Sequence, residues 1–412
     1  MTTTALVPTE DTALREVQRE LTTFRDAAVD AVTDTRRLQL AVATVDNPPS
    51  ALDRVVLTAE TGSGPMPLRL LAGAHDQLAE RVGIPKDYYQ RMLTEAPGLL
   101  ATNVNHWFRS QPTKRLLRML KPLTPEDQAT HAGLHTNYAV RAILSDRYRP
   151  IDHGSLLNTV LPVVAERQLT VTQWKLTERH LFLRFKAPSQ ALGQIVAAEV
   201  FRDAPLYKGF NLQDVMAEVI GFGVALRNSE TGHGAFVLDP TFEVERCLNR
   251  MVMDLYSRVR VIHMGGQKDE DDSFYQADTK ALDNAAIFLK VRDRMRALFS
   301  GDTKQKAAAV VAKQMGVPLM LPETVGQFEF VENLAQTFDL TEAEQKVLKE
   351  EVVAEMTTTG RPLTPFTVSQ GLTATAKHAD NIERQEELER LGWRVLEDPI
   401  EKLLKAGKAS RN

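Results

Sequence analysis

The stretch V-A-L-R-N-S-E-T-G-H-G-A-F-V-L-D-P-T-F-E-V-E-R-C-L-N-R-M at residues 224–251 decides how the chain is read. Two apolar runs flank a polar turn made of Asn228, Ser229, Glu230, Thr231 and Gly232. Gly232 and Gly234 admit positive φ or a bulge, and Asn228 can bond its own backbone, so the pattern predicts a β-hairpin. After Asp239-Pro240, the apolar residues Val244, Leu248 and Met251 recur at helical spacing. That spacing predicts a helix over 241–259.

Working outward, residues 155–167 predict a helix with Leu156, Val160, Val163 and Val164 inward. Residues 169–175 and 180–186 predict a hairpin across Thr177-Glu178, followed by a strand over 218–227. Upstream, 9–35 reads as one amphipathic helix. Short strands at 54–59 and 67–71 flank the turn at 62–65, and a helix over 74–96 is split at Gly83-Ile84-Pro85. Residues 103–120 read as helix interrupted at Pro112, and 140–144 as a strand. Downstream, 278–299, 302–315, 324–337, 341–357 and 366–390 read as helices. The fold class expected is α+β, an antiparallel β-sheet core packed with helices plus a mainly helical C-terminal region. The expected organisation is an N-terminal helical segment 1–49, a core 50–265, an acidic loop 266–277 and a helical region 278–412.

Hydrophobic content of 43% and charged content of 25% are ordinary for a globular protein, and no apolar run approaches the length of a membrane span. The start M-T-T-T-A-L-V-P-T-E has neither the basic opening nor the apolar centre of a secretory signal, so none is expected. Cys247 is the only cysteine, which excludes an intramolecular disulfide and a cysteine-rich zinc site and fits a reducing cytoplasm. The net charge of −4 argues against a generic nucleic-acid coat, but the charge is uneven. Residues 101–149 hold eight Lys/Arg against three Asp/Glu, whereas 323–401 hold seventeen Asp/Glu against seven Lys/Arg. A basic middle and an acidic C-terminal part suggest a polyanion site on one face, with chance clustering on a solvated surface as the competing reading.

The segment N-S-E-T-G-H-G (228–234), with R-C-L-N (246–249) after it, resembles the phage- and plasmid-encoded family catalogued as domain of unknown function 932. Further likeness lies in L-A-E-R-V-G-I-P-K-D-Y-Y (78–89), N-V-N-H-W (103–107), R-A-I-L-S-D-R-Y-R-P-I-D (141–152), V-R-V-I-H-M-G (259–265) and T-P-F-T-V-S-Q-G-L-T-A-T-A-K-H-A-D (364–380). The family usually has glycine after C-x-N, where this chain has Arg250. The resemblance implies a mobile-element protein and carries no activity. The expected element order is also similar to the core of Erf and Red-β type single-strand annealing proteins, a likeness of topology alone.

A site for single-stranded nucleic acid needs cations along the backbone and flat rings for the bases. The chain offers Trp107, Arg109, Lys114, Arg115 and Arg118, then Arg147, Tyr148 and Arg149, then Lys175 and Arg184 on the 169–186 hairpin. The competing reading makes the rings core edges and the cations solvated groups. Residues 77–92 have the spacing of a helix-turn-helix, though an ordinary helix corner has the same spacing. His131 and His135 are four apart, like two metal ligands on one helix turn, but Gly133 lies between them and no glutamate follows the first. The acids at 269–272 are adjacent in a loop and do not make a cage. Glu230 beside His233 has the makings of an acid/base pair, against the commoner role of a turn carboxylate capping amides. Cys247 reads as a core residue. The turn 228–232 is either a ligand site or the device that sets the hairpin register.

The expectation is therefore a nucleic-acid-binding protein of phage or plasmid type. It would take single-stranded DNA, promote annealing or recombination as a homo-oligomer, and work in the bacterial cytoplasm without cofactor, metal, catalytic residue or membrane. The alternative is a partner-binding or regulatory protein acting through the acidic C-terminal helices, with an enzyme third.

Overall fold

The structure is a computed structural model that describes residues 12–45, 47–148, 150–188, 220–244, 249–253, 259–261, 277–299, 301–315, 318–321, 323, 325–360 and 362–407. It opens with α1 (Thr12–Ala27), whose Leu14, Val17, Leu21 and Phe24 fall at helical spacing and are buried. The helix does not run to residue 35 as its pattern predicts. β1 (Ala28–Asp34) takes over, because Val29, Val32 and Thr33 are β-branched and prefer extended backbone. The Asp34 carboxylate then accepts from the Arg36 amide and turns the chain through a 3-10 turn, Thr35–Arg37, into β2 (Leu38–Val42).

A hairpin of β3 (Val55–Thr61) and β4 (Gly64–Leu70) follows, then α2 (Ala72–Arg81), α3 (Lys86–Glu95) and α4 (Pro97–Ser110). The break between α2 and α3 lies at Gly83, which has φ of +68°. The helix read over 103–120 stops at Ser110, and Lys114–Leu120 is a strand, β5. Its apolar run fits either period. It lies between two partner strands, and that burial on both sides decides for extended backbone. α5 (Pro125–Gly133) and β6 (Tyr138–Ser145) complete the first sheet, ordered β1-β5-β6-β4-β3-β2, with β4 and β6 parallel and its other pairs antiparallel. The sheet therefore uses strands from before residue 50. Leu57, Leu68, Tyr89, Leu93, Leu100, Val104, Leu117 and Val140 form the core between this sheet and α2–α4.

α6 (His153–Glu166) leads to a second, antiparallel sheet. Its strands are β7 (Thr170–Leu176), β8 (Leu181–Lys186), β9 (Ile220–Asn228), β10 (Phe236–Val244) and β11 (Asn249–Val252), ordered β11-β10-β9-β8-β7, with β12 (Val259–Val261) also paired to β10. The β9–β10 hairpin and the β7–β8 hairpin match the sequence reading. The helix over 241–259 does not form: β10 runs on through Pro240, and Phe242 pairs with Met251 across to β11. Pro240 falls between the residues paired to β12 (236–238) and those paired to β11 (241–244), a place where a strand tolerates a residue without an N–H. Leu14, Val17, Leu21, Leu156, Val160, Leu183, Phe185, Val224, Leu238 and Phe242 are among the residues of this core, which also takes in residues of the next two helices.

The C-terminal part is helical as expected: α7 (Ala277–Leu298), α8 (Gly301–Met315), α9 (Gln327–Thr337), α10 (Glu342–Thr359), α11 (Pro365–Ala376), α12 (Ile382–Glu397) and α13 (Ile400–Ala406). The helix read over 366–390 is two helices. The Asn381 side chain caps the second by accepting from the Arg384 amide. Every residue of α11 is buried, although half its middle is Ser, Thr or Gln. Thr373 and Thr375 satisfy their hydroxyls on the helix's own carbonyls, Ser369 and Gly371, at 3.0 and 2.8 Å. Gly371 lets α10 approach, since a Cβ there would sit 2.5 Å from Val352 Cγ2. Gly392 does the same for α12 against Thr373. The protein is thus α+β, and among the described residues no helix is long and apolar enough to cross a membrane. The acidic loop at 266–277 lies outside the described residues, apart from Ala277, which opens α7.

Candidate functional site

The polar turn is not on the surface. Asn228, Ser229, Glu230 and Thr231 are all buried, wedged between the two sheets. Glu230 Oε2 accepts from Arg141 of β6 at 2.6 Å and Oε1 accepts from the His153 amide at 2.6 Å. The Glu230 carbonyl accepts from Arg118 of β5 at 2.9 Å. Gln77 of α2 donates to the Thr231 carbonyl and accepts from the Ile143 amide, while Asn228 donates to the Ile151 carbonyl at 2.7 Å. Gly232 has φ of +78°, and a Cβ there would meet Leu144 Cδ2 at 2.7 Å, so both conformation and space require glycine. Residues 145–148 belong to the same junction, for the Tyr148 hydroxyl donates to the Ser229 carbonyl at 3.3 Å. The segments 228–234 and 141–152, both part of the resemblance, thus meet in one polar clamp, and the turn has a structural role.

Burial by itself would raise the Glu230 carboxyl. The pull of His153, the positive charges of Arg141 and Arg118 and the bond from the His153 amide outweigh it and hold the group at about 2. Burial pushes the Tyr148 hydroxyl up. Burial also lowers His233 to about 4, with Arg179 and His180 adding to the effect. The His233 ring nitrogen Nδ1 lies 2.9 Å from Thr231 Oγ1 and not on Glu230, so the two do not form an acid/base pair.

His75 of α2 is lowered to about 4 by burial, against the pull of the Leu52 carbonyl and of Asp53 and Asp76. The Leu52 carbonyl can only accept, so Nε2 carries the proton and Nδ1 accepts from the Tyr89 hydroxyl at 2.8 Å. Because the folded value lies below the ordinary one, this stability is whole above about pH 6.5. It is lost as pH falls toward 4, by up to about 3 kcal/mol. Glu230 adds a second, lower stage, lost as pH falls from its ordinary 4.5 toward 2. Urea midpoints measured from pH 7 to pH 4 should fall, and His75→Gln should flatten the decline. A midpoint constant across that range would contradict the buried neutral imidazole.

The residues nominated for nucleic acid separate into three groups. Arg118 and Arg184 are buried and committed. Arg118 holds Asp30 at 3.0 Å and Asp152 at 3.2 Å besides Glu230, and Arg184 holds Glu389 of α12 at 2.7 Å. Neither reaches a phosphate in this structure, and Tyr148 is held by the turn with Leu116, Ala142 and Leu144 around it, so its ring is not a free stacking platform. Lys175 is exposed on β7 in the other sheet, and Arg149 lies outside the described residues. Arg109, Lys114 and Arg147 are exposed, with Arg115 and Trp107 half-buried.

Strand register brings this last group together. Asp34 pairs with Lys114 and Arg115 pairs with Ser145, so β1 ends, β5 begins and β6 ends at one end of the first sheet. Thr35 ties α4 to the same place: its amide donates to the Thr113 carbonyl at 2.9 Å and its hydroxyl to the Phe108 carbonyl at 3.2 Å. Arg36, Arg37, Arg109, Lys114, Arg115 and Arg147 therefore flank one sheet end, beside Asp34 and Asp146. An open recess of about 550 Å³ there is lined by Val32, Thr33, Asp34, Arg36, Arg37 and Lys114. Arg36 is paired to Asp34 at 2.9 Å, whereas Arg37, Arg109 and Lys114 have no ion pair among the described residues. Trp107 donates its ring N–H to Asn103 at 3.0 Å and leaves part of its ring in solvent. Arg36 and Arg37 escaped the sequence reading because they follow directly on an assumed helix, 9–35, and lie far from the basic stretch 101–149. The signal was Asp34, a capping residue just before them.

The remaining candidates settle otherwise. α2 and α3 form the expected corner with Ala79, Ile84 and Tyr89 buried, but Lys86 pairs with Asp76, which also binds Arg179 of the β7–β8 turn. His131 is buried against Thr136 Oγ1 at 2.7 Å, and His135 lies past the helix end at φ +54°, so the two share no helix face. Among the described residues no group of three His, Cys, Asp or Glu is placed to hold a metal ion. Cys247 lies outside them. Arg250 ends no helix: it stands on β11 opposite Glu243 and donates to Gln173 Oε1 at 3.1 Å. Comparison with protein-family models, curated proteins and solved structures finds no match to this chain.

Proposed function

We propose that this chain is a nucleic-acid-binding protein that takes single-stranded DNA along the cationic end of its first sheet. In the mobile-element setting implied by the resemblance to the domain of unknown function 932 family, such binding would serve annealing or recombination. The observation that supports the reading is the register that gathers Arg37, Arg109, Lys114, Arg115 and Arg147 at one sheet end next to a partly exposed Trp107. Cations that track a backbone beside an aromatic ring are what a sequence-tolerant single-strand site requires. Fluorescence anisotropy with a labelled single strand across a salt series tests it. Arg37→Glu with Lys114→Glu should weaken binding and lower the salt slope by about 0.7 for each phosphate no longer neutralised. Lys175→Glu, on the other sheet, should change little. Absence of binding at low salt would refute the proposal.

A second reading, a protein partner at the C-terminal helices, is favoured by the apolar groove between α9 and α10, where Phe328 is 64% exposed and Val353 37% exposed. Failure to bind nucleic acid, with loss of a partner on Phe328→Asp, would favour it.

A further inference from the structure

The first sheet has β2 at one edge and β1 at the other, and only β2 is covered. Leu40, in the middle of β2, turns its N–H and C=O away from β3, and Asn105 of α4 takes both. Asn105 Oδ1 accepts from the Leu40 amide at 2.8 Å, and its Nδ2 donates to the Leu40 carbonyl at 2.8 Å. A side chain bonded in this way closes a sheet edge to other strands. β1 has no such cover. The bonds that bracket its pairing with β5 run from the Lys121 amide to the Ala27 carbonyl and from the Thr35 amide to the Thr113 carbonyl, each at 2.9 Å. Both fall on odd residues of this strand, and the register between them is unbroken. Antiparallel bonding alternates along a strand, so Val29, Ala31 and Thr33 bond to β5, whereas Asp30 and Val32 turn their N–H and C=O outward. Among the described residues nothing donates to or accepts from those outward groups. The open recess beside Val32, Thr33 and Asp34 leaves room along the edge, and Val32 is 58% exposed. No proline, lysine or bulge interrupts the strand, so its edge is a template for a further strand.

The order of residues along β1 selects the occupant. We propose that β1 pairs with β1 of a second copy of this chain, antiparallel about a two-fold axis at Ala31, and so joins the two first sheets into one. Only outward-facing residues can exchange bonds, which restricts the register. A pairing centred on Asp30 would set that carboxylate against its own copy, and one centred on Val32 would set Asp30 against Asp34. Like charges directly opposite destabilise a strand pair. Centred on Ala31, the register has neither clash. Asp30 faces Val32 of the second copy and exchanges both backbone bonds with it, and Val29 faces Thr33. Ala31 faces itself at a non-bonded position, where strands come closest and a methyl group fits. The two acids of the strand already have partners, Asp30 in Arg118 at 3.0 Å and Asp34 in Arg36 at 2.9 Å, so the seam buries no unpaired charge.

Sedimentation velocity of the full chain, without nucleic acid, from about 1 to 100 μM tests it. The expected result is a monomer–dimer equilibrium that stops at the dimer, because a two-fold pairing uses up the edge on both copies. Val32→Pro removes an outward N–H and no bond to β5, so it should fold, which a matching melting curve verifies. It should raise the dissociation constant about tenfold or more. Ala31→Cys in a Cys247→Ser background sets two thiols across the axis, with Cα atoms about 4.5 Å apart and within disulfide range. Oxidation should then link the copies on a non-reducing gel, and this link alone decides if Val32→Pro does not fold. A monomer at every concentration would overturn the proposal and leave the edge to an extended segment of another protein. So would a dimer that Val32→Pro leaves unchanged, or one that Ala31→Cys fails to link. The inference stands apart from the single-strand reading, since no nucleic acid enters the experiment and a monomer can still bind DNA.

Discussion

Replacing Glu230 by alanine should lower the free energy of unfolding by about 3–5 kcal/mol, the scale for removing one partner of a buried ion pair. The carboxylate is 4% exposed and faces Arg141, 1% exposed, and Arg118, 4% exposed. Without it Arg141 loses its 2.6 Å acceptor and the His153 amide loses another, in a place where water does not replace them. Arg118 keeps Asp30 and Asp152, so the damage falls mainly on Arg141, whose guanidinium also lies 4.7 Å over the Phe24 ring. Glu230→Gln separates charge from hydrogen bonding: it leaves an acceptor for the His153 amide but no anion for Arg141. It should destabilise less than Glu230→Ala. Urea unfolding of both variants is the measurement. A loss within about 0.5 kcal/mol for Glu230→Ala, the range of an ordinary surface change, would mean that the turn does not clamp the sheets.

That clamp shows where sequence reading succeeded and where it stopped. The polar turn, the two hairpins of the second sheet, β3–β4, β6 and α6 were legible from their apolar period, helped at the β3–β4 and β9–β10 turns by Gly and Asn and at β7–β8 by the polar break at Thr177-Glu178. β5 was not, because Leu116, Leu117, Met119 and Leu120 suit a helix as well as a strand buried on both sides. β10 was cut short at Pro240, whose tolerance depends on which neighbouring strand pairs where. The charges were legible but their partners were not. Arg118 meets Asp30 and Glu230, far away in sequence and brought near only by the sheets. The same holds for the basic middle and acidic C-terminal part. Part of the C-terminal acidity is internal complementarity to the second sheet: Arg184 with Glu389 and Arg227 with Glu386 join that sheet to α12, and Asp239 with Arg390 adds a pair of the opposite sense. A count of charges cannot distinguish cations reserved for the chain's own acids from cations left for a partner. Only the register of β1, β5 and β6 separates Lys114 from Arg118, four residues along the same strand.

Arg184 gives the sharpest test of that distinction. Arg184→Ala should cost about 3–5 kcal/mol, because it strands Glu389, 2% exposed, beneath α12. Arg184→Met combined with Glu389→Met removes both charges and keeps volume, and such replacements are often neutral or stabilising. The double variant should therefore recover most of the stability that Arg184→Ala loses. It should also bind single-stranded DNA as the parent does, because Arg184 is committed to α12 rather than to a phosphate. Unfolding and anisotropy on the same preparations give both answers. If the double variant is stable but loses strand binding, α12 must leave the sheet when DNA arrives. The site would then extend across the second sheet, with Lys175 as its exposed end.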